Sequence, residues 1–76
     1  MRYRVEFLRE ATEEDSVCLA RFPRTAHLRL AEMQALAWSS KACRDYGAGG
    51  FQIRDLNANG RIVAVEAFNG APPAIN

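Results

Sequence analysis

The chain has 76 residues, of which 49% are hydrophobic and 25% charged, with a formal net charge of +1 at pH 7. That length makes one small domain. The apolar fraction excludes a disordered segment, and the near-zero charge excludes a global electrostatic case for nucleic acid or membrane binding. Nine of the ten basic residues are arginines, with Lys41 the exception. Nucleotide composition alone can produce that skew, so it is not read as phosphate recognition.

The N-terminal stretch Met1 to Glu6 has no apolar signal-like core, and no run is long enough to span a bilayer. The expected location is cytoplasmic. Cys18 and Cys43 lie far apart without a C-x-x-C pattern or a nearby histidine pair, and read as thiols in a reducing compartment. Whether they pair depends on geometry.

From Arg2 to Leu8 the sequence alternates: Tyr3, Val5 and Phe7 point one way, Arg2, Arg4 and Glu6 the other. This is the pattern of a strand with one wet face. Glu10 to Asp15 is polar and reads as a loop. Ser16 to Phe22 reads as a second strand antiparallel to the first, with Val17 and Leu19 on one face and Cys18, Ala20 and Phe22 on the other. Pro23 ends it, because proline cannot donate to a ladder.

Ala26 to Tyr46 contains no glycine or proline. Thr25 is placed to cap a helix there and Gly47 to end it. Leu28, Ala31, Ala35, Trp38, Ala42 and Tyr46 follow helical spacing and define its expected core stripe. Leu30, Met33 and Ala37 fall on roughly the opposite side, as scattered surface residues or as a patch for a partner or a second copy. Gly47, Gly49 and Gly50 turn the chain toward a second hairpin. A phosphate-cradling glycine loop leads from strand to helix, and here the order is helix to strand.

Phe51 to Phe68 holds two β-branched and aromatic runs about Asn57-Ala58-Asn59-Gly60, a strong hairpin signal. Matching faces predicts a type I turn at Ala58-Asn59 with Gly60 left-handed. Ile53 would then meet Val65, Phe51 would meet Ala67, and Gln52 would meet Glu66. The same stretch resembles an EF-hand loop: Asp55, Asn57, Asn59, the Arg61 carbonyl and Glu66 satisfy its twelve-residue pattern. An EF-hand needs a helix on each side, and these flanks are glycine-rich before and β-branched after. The hairpin is therefore the preferred reading, with a weak calcium site as an alternative.

Together these elements predict an α+β fold, ββαββ, with an antiparallel sheet and one long helix over about 25–46 packed on one face. Residues 1–70 form the domain and 71–76 a flexible tail. No catalytic constellation emerges. His27 is the single histidine and has no partnered nucleophile, and two separated cysteines with one histidine lack zinc spacing. Neither an enzyme nor a cofactor is expected.

Two stretches carry family resemblances. Met1-Arg2-Tyr3-Arg4-Val5-Glu6-Phe7, with Val17 to Arg24 containing Arg21-Phe22-Pro23, resembles the first hairpin of HicB-type antitoxins, which implies a small domain paired with a toxin ribonuclease. Phe51 to Asp55 with Asn59 to Val63 is similar to the final hairpin of small bacterial strand-helix-hairpin domains of unknown function. That second resemblance implies the same order of elements and no activity.

The function expected from these readings is a non-catalytic domain that binds a protein partner or itself, possible as a homodimer. Its surfaces would be Arg2, Arg4 and Arg54 on the open sheet face, an edge strand, and the Leu30-Met33-Ala37 patch. The alternative is a nucleic-acid-binding or antitoxin-like regulator using the sheet-face arginines.

Overall fold

The computed structural model describes residues 1–68. Its elements are β1 (Tyr3–Leu8), β2 (Val17–Arg21), α1 (Leu28–Tyr46), β3 (Gly50–Asp55), a single 3-10 turn (Leu56–Ala58) and β4 (Arg61–Ala67). The four strands form one antiparallel sheet in the order β2-β1-β3-β4. This is the expected ββαββ, α+β architecture. The expected tail, 71–76, lies outside the described residues.

The core forms where two strands present large apolar residues to the same side. Tyr3, Val5 and Phe7 of β1 stand beside Phe51 and Ile53 of β3, none more than 4% exposed. Phe7 and Phe51 meet edge to face with ring centroids 6.0 Å apart, a favoured quadrupole arrangement. The helix packs over β1 and reaches β2 and β3 on either side. It does so through small residues: Ala31, Ala35 and Ala42 are fully buried.

The helix starts later than the Thr25 cap implied. The Thr25 Oγ1 instead accepts a hydrogen bond from the His27 amide at 3.1 Å, and His27 becomes the N-cap without a side-chain cap bond. The hydroxyl satisfies the turn before the helix rather than its first orphan amides. The far end is as expected. Gly47 adopts φ 70°, and its amide closes onto the Cys43 carbonyl at 3.1 Å, the left-handed termination that a Cβ disfavours. Leu28 and Trp38 are half-buried, but Tyr46 is 40% exposed. It lies in the last turn, at the edge of the sheet's reach.

Both edge strands differ from the alternation read in the sequence, because each carries a bulge. In β2 the irregularity falls at Cys18: Val17 pairs with Leu8 while Leu19 pairs with Phe7. Val17 and Leu19 therefore lie on opposite faces. In β4 it falls at Val63: Arg54 pairs with Ile62 and Ile53 with Ala64. Gln52 then opposes Val65, and Phe51 opposes Glu66, in place of the pairs expected from matching faces.

The turn explains this register. Asp55 Oδ1 accepts from the Asn57 amide at 2.9 Å, and the Gly60 amide donates to the Asp55 carbonyl at 3.0 Å. Asn59 and Gly60 both take positive φ, 59° and 75°. The loop thus closes at Asp55–Arg61, earlier along β3 than a turn at Ala58-Asn59 alone would do. The bulge takes up one residue of that two-residue offset, so the pairing beyond it stays one residue from the expected register.

Gly50 is required by close approach. A Cβ there would stand 2.5 Å from the Glu66 carbonyl oxygen and 2.8 Å from the Ala11 Cβ. This lets the 9–16 loop lie down on the sheet face opposite α1.

Candidate functional site

Two surfaces carry the residues singled out in the sequence. The first is the sheet face opposite α1. Glu6, at the middle of β1, is 6% exposed and stands at its centre. Its Oε1 accepts from Gln52 Nε2 at 2.7 Å and Arg54 Nε at 2.9 Å, and its Oε2 accepts from Arg4 Nε at 2.8 Å. Arg54 also donates to the Gly60 carbonyl at 2.9 Å and to Glu14 Oε2 at 3.1 Å. Burial raises the Glu6 pKa, but the hydrogen bonds from Gln52 and Arg54 and the neighbouring positive charges outweigh it, leaving the carboxyl below its ordinary value. The hydrogen bonds to Glu6 and then Glu14 raise Arg54 in turn.

Two guanidiniums, Arg4 and Arg54, thus face two carboxylates, Glu6 and Glu14, so the cluster carries no net charge. Arg2 donates to Asp55 Oδ2 at 3.2 Å and lies 5.2 Å from the Tyr3 ring centroid. The hydrogen bond from Arg2, then the Asn57 amide, hold the Asp55 carboxyl below its ordinary range despite partial desolvation. The three arginines expected to meet a partner are all engaged within the chain.

The same geometry bears on the EF-hand resemblance. Strands flank the 55–66 segment on both sides. Asp55 is committed to Arg2 and the Asn57 amide, while Glu66 sits along β4 opposite Phe51. Among the described residues, no three His, Cys, Asp or Glu side chains converge as a metal-binding group. Cys18 and Cys43 are both free thiols, and Cys18 Sγ lies 3.5 Å from the Phe7 carbonyl oxygen. His27 is exposed at the start of α1.

The second surface is the solvent side of α1. Leu30, Met33 and Leu36 are 49%, 56% and 51% exposed, and Ala37 lies among them, also exposed. The helix therefore presents Ala31, Ala35 and Ala42, with Leu28 and Trp38 half-buried beside them, to the core, and Leu30, Met33 and Leu36 to water. The patch is wider than Leu30, Met33 and Ala37 alone, because Leu36 joins it one turn from Met33.

Leu36 also leads into a groove. With α1 centred over β1, the described residues cover the helix-side surface of β4 only in part, and a cleft of about 270 Å³ runs between Met33 and Leu36 on one wall and Phe51 and Ala64 on the floor. It continues past Cys43 to Phe68. Arg29, Glu32, Glu66 and Arg44 stand along its rim. Sequence reasoning missed the groove. Ala64, Glu66 and Phe68 become its lining only once the bulge at Val63 has set the β4 register and the strand order has placed β4 beyond the reach of the helix.

Among the described residues, no helix is long and apolar enough to cross a membrane. Comparison with protein-family models, curated proteins and solved structures gave no match to this chain.

Proposed function

We propose that this chain is a non-catalytic protein-interaction domain that works through the outer face of α1 and the groove beside it. The observation that carries this reading is the inverted helix. Ala31, Ala35 and Ala42 are buried, while Leu30, Met33 and Leu36 are half-exposed. A contiguous apolar surface rimmed by charges is the usual mark of a macromolecular contact. The sheet-face arginines support a nucleic-acid reading less well, because Arg4 and Arg54 are neutralised by Glu6 and Glu14.

The edge strands also favour the helix. Both β2 and β4 carry a bulge, a device that discourages strand addition. The test is a photo-crosslinking amino acid placed at Leu36 and, as a control, at Val17 in the producing cell. A discrete protein adduct at position 36, absent at position 17, is expected. Equal labelling at both positions, or adducts to nucleic acid, would overturn the reading.

A further inference from the structure

The strand order sets how far the groove lies from α1, and that distance fits one occupant. Neighbouring strands stand about 4.8 Å apart, so β4, two strands from β1, lies about 9.6 Å to the side of α1. Packed helices have interaxial distances of about 8–10 Å. A second helix laid against α1 therefore falls directly over β4, where the described residues leave the sheet only partly covered.

We propose that this second helix is α1 of another copy of the chain. The result is a symmetric dimer in which two α1 helices lie side by side between two sheets. The inference rests on the protein-interaction reading above and names its partner.

Symmetry fixes the arrangement. Two sheets that face each other across a shared helix layer must be exchanged by a two-fold axis within that layer. Keeping the helices side by side makes the axis run along them, so the helices are parallel and in register. Each α1 then uses two surfaces. Its flank meets the same flank of its partner through Met33, Leu36, Ser40 and Cys43, whose steps of three, four and three residues follow a coiled-coil seam. Ser40 and Cys43 are small enough to let the helices approach. Its outer side, with Leu30 and Ala37, turns toward the partner's β4.

The rim is balanced in net charge, although an in-register axis sets Arg29, four residues before Met33 on the same seam, beside its own copy. The rim carries Arg29 and Arg44 against Glu32 and Glu66, two of each sign. A surface that must face itself cannot carry a large net charge, since like charges across an interface repel. An outer helix face about 28 Å long and, with the groove, about 20 Å wide offers roughly 600 Å² before side-chain relief. That approaches the about 800 Å² per partner of a standard stable interface.

The in-register axis makes a specific demand: Cys43 must lie next to Cys43 of the partner subunit. Sedimentation analysis of the wild type, Leu36→Glu and Val17→Glu tests the interface, and amide NMR spectra confirm that each variant is folded. Cross-linking a Cys18→Ser variant through Cys43 with a short bis-maleimide tests the register. We expect a wild-type dimer, unchanged by Val17→Glu, exposed on the opposite sheet face, and weakened ~10-fold or more by Leu36→Glu, as for a central interface residue. We also expect efficient covalent dimer formation through Cys43, lost in Leu36→Glu.

Dissociation by Val17→Glu with Leu36→Glu still dimeric would show pairing through the β2 edge and overturn the proposal. A dimer that does not cross-link through Cys43 would overturn the parallel arrangement. A monomeric wild type with a partner adduct at position 36 would overturn the second copy alone. A monomer without that adduct would overturn the interaction reading as well.

Discussion

The open face of the sheet and the outer face of α1 show opposite relations between composition and availability. The sheet face holds Arg4 and Arg54, yet their guanidiniums are spent on Glu6 and Glu14, with Gln52 closing the network. The helix face holds only ordinary aliphatic residues, yet nothing within the described chain covers them. A side chain's capacity to bind a partner depends on what its own fold leaves unsatisfied. Here that is apolar area, not charge.

The comparison breaks first at Glu6. Glu6→Ala removes the acceptor shared by Arg4, Gln52 and Arg54 and leaves two cations facing a half-buried void. Urea unfolding should show a loss of about 3 kcal/mol, the scale of breaking a buried ion pair from one side. A loss under about 0.5 kcal/mol, the range of ordinary surface substitutions, would mean the network is incidental.

The two sides of α1 should respond in opposite ways. Ala35→Leu forces bulk between helix and sheet and should cost about 2 kcal/mol, the scale of overpacking. Leu36→Ala, one residue away, should change the stability of the isolated subunit by less than about 0.5 kcal/mol. It should weaken partner binding instead. Equal stability losses at both positions would contradict the inverted helix.

Acid sharpens the picture of the sheet face. Glu6 and Asp55 are both held below their ordinary pKa values in the folded chain. Each therefore binds protons less readily when folded. Their contribution to stability is complete above the unfolded carboxylate values of about 4 and is lost as pH falls through the lower folded values. Unfolding followed against pH should show this decline. Glu6→Gln should flatten its Glu6 part, and an unchanged profile in that variant would remove Glu6 as a source.

Much of the fold was legible in the residues. Tyr3, Val5 and Phe7 alternate cleanly, Gly47 ends the helix, and the Asn59-Gly60 hairpin forms. The edge strands were not legible, because a bulge costs one residue of register and leaves no composition signal. Val63 looks like any other β-branched strand residue, yet it moves Glu66 to the helix side and Val65 to the opposite face. The Leu30, Met33 and Ala37 patch was visible from helical spacing. Its extension through Leu36 into a groove was not, since the groove exists only because β4 lies two strands from β1. The saturation of Arg4 and Arg54 was equally hidden. Glu14 approaches Arg54 only when the 9–16 loop lies down over Gly50.

The most direct test of the outer helix face is a set of two-dimensional amide NMR spectra recorded at rising protein concentration. Shifts and broadening centred on Met33, Leu36, Cys43 and Phe68, with Arg4, Gln52 and Arg54 unmoved, are the predicted result. A spectrum independent of concentration, or changes centred on Arg4, Arg54 and Val17, would contradict the account.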